Sequence, residues 1–160
     1  ESGEERKVAA EKPQAEQSSE TQQPGEVIRI LLADDHTVMR ESLAVRLENE
    51  NDFTIVSQVS TGRDAIRLAE ELKPDVMIMD VRMPDITGIE ATSEIKRRFP
   101  QVHIIGLSRH SDSETALKMK QAGAEAFLSK SDSPKHLYDA IRKVAEMKKT
   151  CKASRSVHRD

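Results

Sequence analysis

Four short apolar runs in this chain each end in a polar residue, and that pattern restricts the fold to few choices. Ile28 to Ala33 leads into Asp34-Asp35, Val76 to Met79 into Asp80, Ile104 to Leu107 into Ser108, and Phe127-Leu128 into Ser129-Lys130. Segments with apolar residues at helical spacing lie between them. Short apolar runs alternating with helical patterns predict the parallel strands of a βαβ sheet. In such sheets the ligand site lies outside the carboxyl ends of the strands, where the strand order reverses. The chain thus delivers three carboxylates, a hydroxyl and an ammonium to one crevice. That set can hold a divalent cation, offer an oxygen nucleophile and neutralise a transferred phosphoryl group.

The elements follow in order. Val27 to Ala33 is the first predicted strand, and His36 to Glu48 the first helix, with Met39, Leu43 and Leu47 on one face at fourfold spacing. Thr54 to Val59 is the second strand; its end carries only Ser60, which suits an edge outside the site. Arg63 to Leu72 is a helix that Pro74 closes. Val76 to Met79 is short and apolar enough to be buried on both faces. The loop Val81 to Thr87 contains Met83-Pro84, and Gly88 opens a helix carrying Ile89, Ile95 and Phe99 before Pro100 ends it. Val102 to Leu107 is the fourth strand. Asp112 to Ala122 is a weaker helix, because Ala116, Leu117, Met119 and Ala122 form no clean stripe; Gly123 supplies its left-handed cap. Ala126 to Leu128 is the fifth strand. Ser133 and Pro134 read as N-cap and first residue of the last helix, with Leu137, Ile141 and Val144 on one side. The expected unit is (βα)₅ over residues 27–149.

The flanks differ in composition. Residues 1–26 are rich in Glu, Gln, Ser and Lys and almost without apolar side chains, so they are expected to be a disordered polar tail. The chain starts at Glu1 without Met, which suggests a fragment. Residues 150–160 read as a basic flexible tail or truncated linker, since a charge run without aromatic neighbours is more often solvated than bound to DNA. The net charge of −3 carries no nucleic-acid signature, and no stretch resembles a signal peptide or membrane span. Cys151 is the single cysteine, which excludes an intrachain disulfide and points to a soluble cytoplasmic protein. With no Trp and one Tyr, the core has to be packed mainly with Ile, Leu, Val, Met and Ala.

Suppose the sheet order is 2-1-3-4-5. Asp34 and Asp35 then sit beside Asp80, Ser108 lies on its other side, and Lys130 lies one strand further. Two charges ~5 Å apart repel by about 3 kcal/mol at an effective dielectric of ~20. Packed carboxylates therefore shift their pKa values upward or recruit a cation, and Mg²⁺ suits an oxygen-rich site that leaves room for water and phosphate. Each residue also has a plainer explanation. An Asp after a strand can simply cap the next helix, which explains one Asp well and two adjacent ones poorly. Asp80 alone could be a turn residue, and Phe127 a core or edge-strand residue. His36 and His110 read as exposed loop or helix-start histidines, because no other His or Cys lies at ligand spacing from either. The functional reading rests on all the right types falling at strand ends in the right order.

The segments Ile30-Leu-Leu-Ala-Asp-Asp-His36, Met79-Asp-Val-Arg-Met-Pro-Asp-Ile-Thr-Gly88, Ile105-Gly-Leu-Ser108 and Gly123-Ala-Glu-Ala-Phe-Leu-Ser-Lys130 resemble the receiver domain of bacterial two-component response regulators. Asp34-Asp-His36, Arg40-Glu-Ser-Leu43 and Gly88-Ile-Glu-Ala-Thr92 look most like its NarL/FixJ group, with LuxR-type output. The resemblance implies a flavodoxin-like, doubly wound (βα)₅ three-layer α/β sandwich with a parallel sheet of order 2-1-3-4-5. It makes Asp80 the phosphoacceptor. Asp35 and Asp80 become direct Mg²⁺ ligands (Mn²⁺ a substitute), with Asp34 close by and the Arg82 backbone carbonyl as a further ligand. Lys130 would contact the phosphoryl group, Ser108 would be the switch hydroxyl and Phe127 the rotating aromatic. Arg82 and His110 would sit at the rim and tune the lifetime of the acyl phosphate. The implied partner is a sensor histidine kinase or phosphotransfer protein, with a second copy of the chain as a further candidate. No membrane or direct nucleic-acid binding is implied for this segment.

The resemblance also implies regulation of transcription through a helix-turn-helix domain, for which the chain stops too soon at Asp160. The face built by the 112–122 helix, the fifth strand and the last helix is the implied output surface. The module is not an enzyme beyond catalysing its own phosphorylation and dephosphorylation. Two departures stand out: Ser131 replaces the Pro that many receivers carry after the lysine, and Arg109 is bulky where many have a small residue. Among rivals, an aspartyl-phosphate phosphatase would want a second Asp where Arg82 stands, and a dinucleotide site would want glycines where Asp34-Asp-His36 stands. The alternative carried forward is a receiver-like interaction domain that signals without phosphate.

Overall fold

A computed structural model describes residues 27–109 and 112–159, and of 148–159 the backbone alone. The expected tail 1–26 and His110 lie outside the described residues. Ten elements alternate strictly: β1 (Ile28–Ala33), α1 (Thr37–Glu48), β2 (Phe53–Val59), α2 (Gly62–Leu72), β3 (Val76–Asp80), α3 (Gly88–Arg98), β4 (His103–Ser108), α4 (Ser113–Ala122), β5 (Ala126–Ser129) and α5 (Pro134–Arg159). All strand pairs are parallel and the order is β2-β1-β3-β4-β5. The strand order reverses between β1 and β3, and β1 and β4 flank β3.

Strand periodicity splits the core into two layers. Along β1, Ile30 and Leu32 face one way and Leu31 and Ala33 the other; along β3, Val76 and Ile78 part from Met77 and Met79 in the same manner. The first layer packs against α1 and α5 through Leu47, Ile141 and Val144. The second packs against α2, α3 and α4 through Ala65, Ala69, Ile95 and Met119. β3 is buried at every position, as its continuous apolar run requires.

Local signals end the helices as the residues predict, with two differences at α1 and α5. Thr87 and Glu90 form a reciprocal capping box at the start of α3. Gly123 takes φ 118 behind α4, a conformation that costs other residues. Of α4 only Met119 is buried, in keeping with its weak stripe. Met39 departs from the stripe expected of α1. It lies in the first turn, lines an open groove beside residues 128–137, and stays 41% exposed. The last helix also runs to Arg159, past the point near Lys149 where its apolar pattern stops. Residues 150–159 contain no Gly or Pro, so nothing in them interrupts the hydrogen-bond ladder.

Candidate functional site

The carboxyl ends of β1, β3, β4 and β5 converge on one cleft. It measures about 220 Å³ and is lined by Asp35, His36, Asp80, Arg82, Ser108, Arg109 and Lys130. Asp80 closes β3 and is 5% exposed, and Asp34, just past β1, is 6% exposed. Ser108 closes β4, and its carbonyl accepts the backbone N–H of Lys130 at 2.7 Å, which fixes the turn after β5. The Lys130 side chain is buried. Its Nζ donates to Asp34 Oδ2 at 2.7 Å and lies 3.4 Å from Asp80 Oδ2. One ammonium thus bridges two buried carboxylates across adjacent strands.

The two carboxylates titrate apart. Burial pushes the Asp80 carboxyl up to about 6; Lys130 opposes the rise and the charge of Asp34 adds to it. Burial also acts on Asp34, but the hydrogen bonds from Lys130 and from the His36 backbone N–H outweigh it and hold that carboxyl below its usual range. Asp34 therefore does two jobs. Its Oδ1 accepts the His36 N–H at 2.9 Å and shapes the entry to α1, while Oδ2 holds Lys130. Neither aspartate caps the helix, because the N-cap of α1 is His36 and makes no side-chain cap bond. Asp35 is left facing the cleft.

Asp34, Asp35, His36 and Asp80 each place one ligand atom within 4.8 Å of the others. Oxygen ligands of an octahedral Mg²⁺ lie about 3–4 Å apart, so a small closure of the three carboxylates would enclose such an ion. Lys130 is the buried cation against three carboxylates, while Arg82 and Arg109 line the cleft from exposed positions, and the oxygen donors fit a hard divalent cation.

The predicted site residues separate into groups. Asp34, Asp35, Asp80, Arg82, Ser108 and Lys130 come together at the strand ends. Phe127 does not line the cleft. It sits on β5, three residues before Lys130, and its ring packs with Met119 over Gly106, where an added Cβ would come within 2.9 Å of the ring. Every peptide bond among the described residues is trans, including Lys130–Ser131.

His36 is the exposed helix-start residue that the sequence predicts, the N-cap of α1, and its ring also reaches the acidic cluster. Its imidazole is half exposed, yet Nδ1 lies 3.4 Å from Asp35 and 3.6 Å from Asp34, and Nε2 contacts Arg109 Nη2. Adjacency to Asp34-Asp35 was the only sequence signal for this, and nothing in the sequence signalled Arg109 as its partner. Asp85 was also missed. It accepts the backbone N–H groups of Gly62 and Arg63, each at 2.9 Å, and so ties the loop after Asp80 to the start of α2.

Residues 30–142 match the family model described as the response regulator receiver domain. The response regulator protein VraR of Staphylococcus epidermidis is 34% identical over 119 residues, covering 74% of this chain and 57% of that protein. The chain therefore spans just over half the length of such relatives. Among solved structures, a LuxR-family two-component response regulator from Aurantimonas sp. SI85-9A1 superposes with a TM-score of 0.73 at 33% identity, covering 75% of this chain and 86% of that one. The signal receiver domain of the putative response regulator NarL from Mycobacterium tuberculosis gives 0.72 at 25% identity, covering 76% and 98%. No helix among the described residues is long and apolar enough to cross a membrane. With its sheet order, its strand-end carboxylates and these matches in agreement, the chain belongs to the response regulator receiver domain family, among relatives of the LuxR and NarL kind.

Proposed function

We propose that the chain is a phosphoacceptor module of a two-component relay, in which Asp80 receives a phosphoryl group from a sensor histidine kinase or phosphotransfer protein. One observation carries this reading: Asp80 is a buried carboxylate at the end of β3, 3.4 Å from the buried Lys130 ammonium and inside the Asp34–Asp35–His36 cluster. Asp34, Asp35, Asp80 and the Arg82 backbone carbonyl would hold Mg²⁺, or Mn²⁺ in its place. When bound, the cation would neutralise charge on the phosphoryl oxygens.

The remaining steps belong to the chain itself. An Asp80 oxygen attacks phosphorus in line; the new O–P bond forms as the P–N bond of a phosphohistidine breaks, its electron pair returning to the imidazole. Lys130 neutralises equatorial oxygen charge from its buried place beside Asp80. Ser108 then donates its hydroxyl proton to a phosphoryl oxygen. Phe127 follows into the space this opens, and α4 repacks, because Met119 is its one buried residue. Turning such a switch from 1:99 to 99:1 takes about 5.5 kcal/mol, within reach of a few charge-assisted hydrogen bonds. Arg82, which lines the cleft, and His110 would tune hydrolysis of the acyl phosphate.

In the cytoplasm this change at α4, β5 and α5 would control an output, transcription through a further domain in the parent protein. The chain would catalyse only its own phosphorylation and dephosphorylation. Incubation with acetyl phosphate and Mg²⁺ tests the reading. One phosphate mass should be added, and Asp80→Asn should abolish it. No addition to the wild type would favour the phosphate-independent interaction domain instead.

A further inference from the structure

Arg109 and His36 reach each other from opposite sides of the cleft. His36 follows β1 and Arg109 follows β4, and both of those strands neighbour β3. A contact between them therefore has to pass over the carboxyl end of β3, where Asp80 is the last residue. Both side chains line the Asp80 cleft. The Arg109 guanidinium meets Nε2 of the His36 imidazole, while Nδ1 of the same ring stands 3.4 Å from Asp35 Oδ1 and 3.6 Å from Asp34 Oδ1.

The chemistry of the donors sets the direction of this chain of contacts. A guanidinium only donates, so the ring turns one nitrogen to Arg109 and leaves the other, Nδ1, facing the two carboxylates. Arg109 thus acts on the acidic cluster through the ring. The oxygens toward which that ring points belong to the set that would hold a divalent cation. Mg²⁺ prefers oxygen ligands, so the imidazole gains no new bond when the cation arrives and has to yield its place.

We propose that Arg109 and His36 form a clasp that covers Asp80 in the metal-free cleft and that the divalent cation must displace. Lys130 serves as the fixed counterion, buried between Asp34 and Asp80. The clasp serves as the movable one: His36 is 46% exposed on its side chain and Arg109 is exposed, so neither is held by the core. Opening the clasp frees the Asp35 and Asp34 oxygens for the cation and the space above Asp80 for a donor. Its loss should tighten cation binding at a site that otherwise keeps all its ligands.

This inference rests on the assignment of Asp34, Asp35 and Asp80 as the cation site, so the test includes a control for that assignment. Calorimetric titration of the metal-free protein with Mg²⁺ would compare the wild type with Arg109→Ala, His36→Ala, the double variant and Asp35→Ala. Each clasp variant should bind Mg²⁺ about three- to tenfold more tightly, the scale set by removing one exposed charge or its contact near a divalent ion. The double variant should bind no more tightly than the stronger single one, because both changes break one contact. In the wild type, the Arg109 guanidinium NMR signals should shift on saturation with Mg²⁺. Unchanged or weaker binding in the two single variants, or fully additive effects in the double, would overturn the clasp while Asp35-dependent binding stands. Wild-type protein without Asp35-dependent Mg²⁺ binding would instead overturn the site assignment, and the clasp with it.

Discussion

Replacing Asp80 by Asn should make the metal-free protein more stable, although it removes the proposed phosphoacceptor. Asp80 is 5% exposed, and burial lifts its carboxyl from 3.8 to about 6. Between those two values the folded chain keeps a proton that the unfolded chain releases. Stability therefore falls as pH rises through this window, and the loss is complete above it. A rise from 3.8 to about 6 corresponds to about 3 kcal/mol at pH 7.5. Asn preserves the shape of the neutral acid and never ionises. Asp34 is present in both proteins, so its own depressed carboxyl cancels to first order.

The expected gain is about 2–3 kcal/mol at pH 7.5 and well under 1 kcal/mol at pH 4. In melting temperature that is roughly 5–10 °C for a domain of this size. Urea unfolding in EDTA at several pH values between 4 and 7.5 measures it. Added Mg²⁺ should narrow the gap by stabilising the wild type through binding. A difference that does not change with pH, or an Asn variant less stable than wild type at pH 7.5, would refute the reasoning.

Three other outcomes are expected. Glu125 accepts from Lys96 at 2.8 Å and from the Ile104 N–H at 2.9 Å; burial opposes its ionisation, yet these bonds and one from His103 hold its carboxyl below the usual range. The stabilisation should be complete above about pH 4.5 and fade as pH falls through the lowered native value, so Glu125→Gln should cost about 1–3 kcal/mol in urea unfolding at pH 7 and less near pH 3. Gly88→Ala would put a Cβ 2.1 Å from the Asp80 carbonyl oxygen and 2.9 Å from Val81 Cα. Backbone has to move there, so a loss of about 2–3 kcal/mol and slower acetyl-phosphate labelling of Asp80 are expected, and a fully stable variant would contradict the packing. Ser108→Ala should still accept phosphate at Asp80 but lose the hydrogen-exchange change over residues 112–137 that a phosphate analogue induces in the wild type; an unaltered response would take Ser108 out of the switch.

Much of the fold is legible before any coordinates. Ile30 and Leu32 alternate with Leu31 and Ala33, and that alternation alone assigns them to two layers. The continuous apolar run of β3 marks a central strand. Gly123, Thr87 and Pro134 end or begin helices through their own backbone chemistry. Met39 shows where the reading stops: the fourfold spacing is real, but the first turn of α1 lies beside an open groove, and spacing does not say how far a neighbour extends. In α5, the apolar pattern marks where packing ends, whereas the helix continues because nothing in residues 150–159 breaks it.

For the site, the sequence by itself determined which chemical groups stand at the strand ends, because side-chain identity and strand periodicity are local properties. It also carried enough of the family pattern to imply the sheet order, which periodicity cannot supply. Only the tertiary structure decided which of those groups touch. Lys130 reaches Asp34 across 96 residues of chain, and Arg109 meets His36 across 73. Those contacts, and the split between a raised Asp80 carboxyl and a depressed Asp34 one, arise because β1 and β4 both flank β3 and β5 lies beside β4. A cation buried between two carboxylates neutralises each according to its distance, and distance between strands is set by the fold.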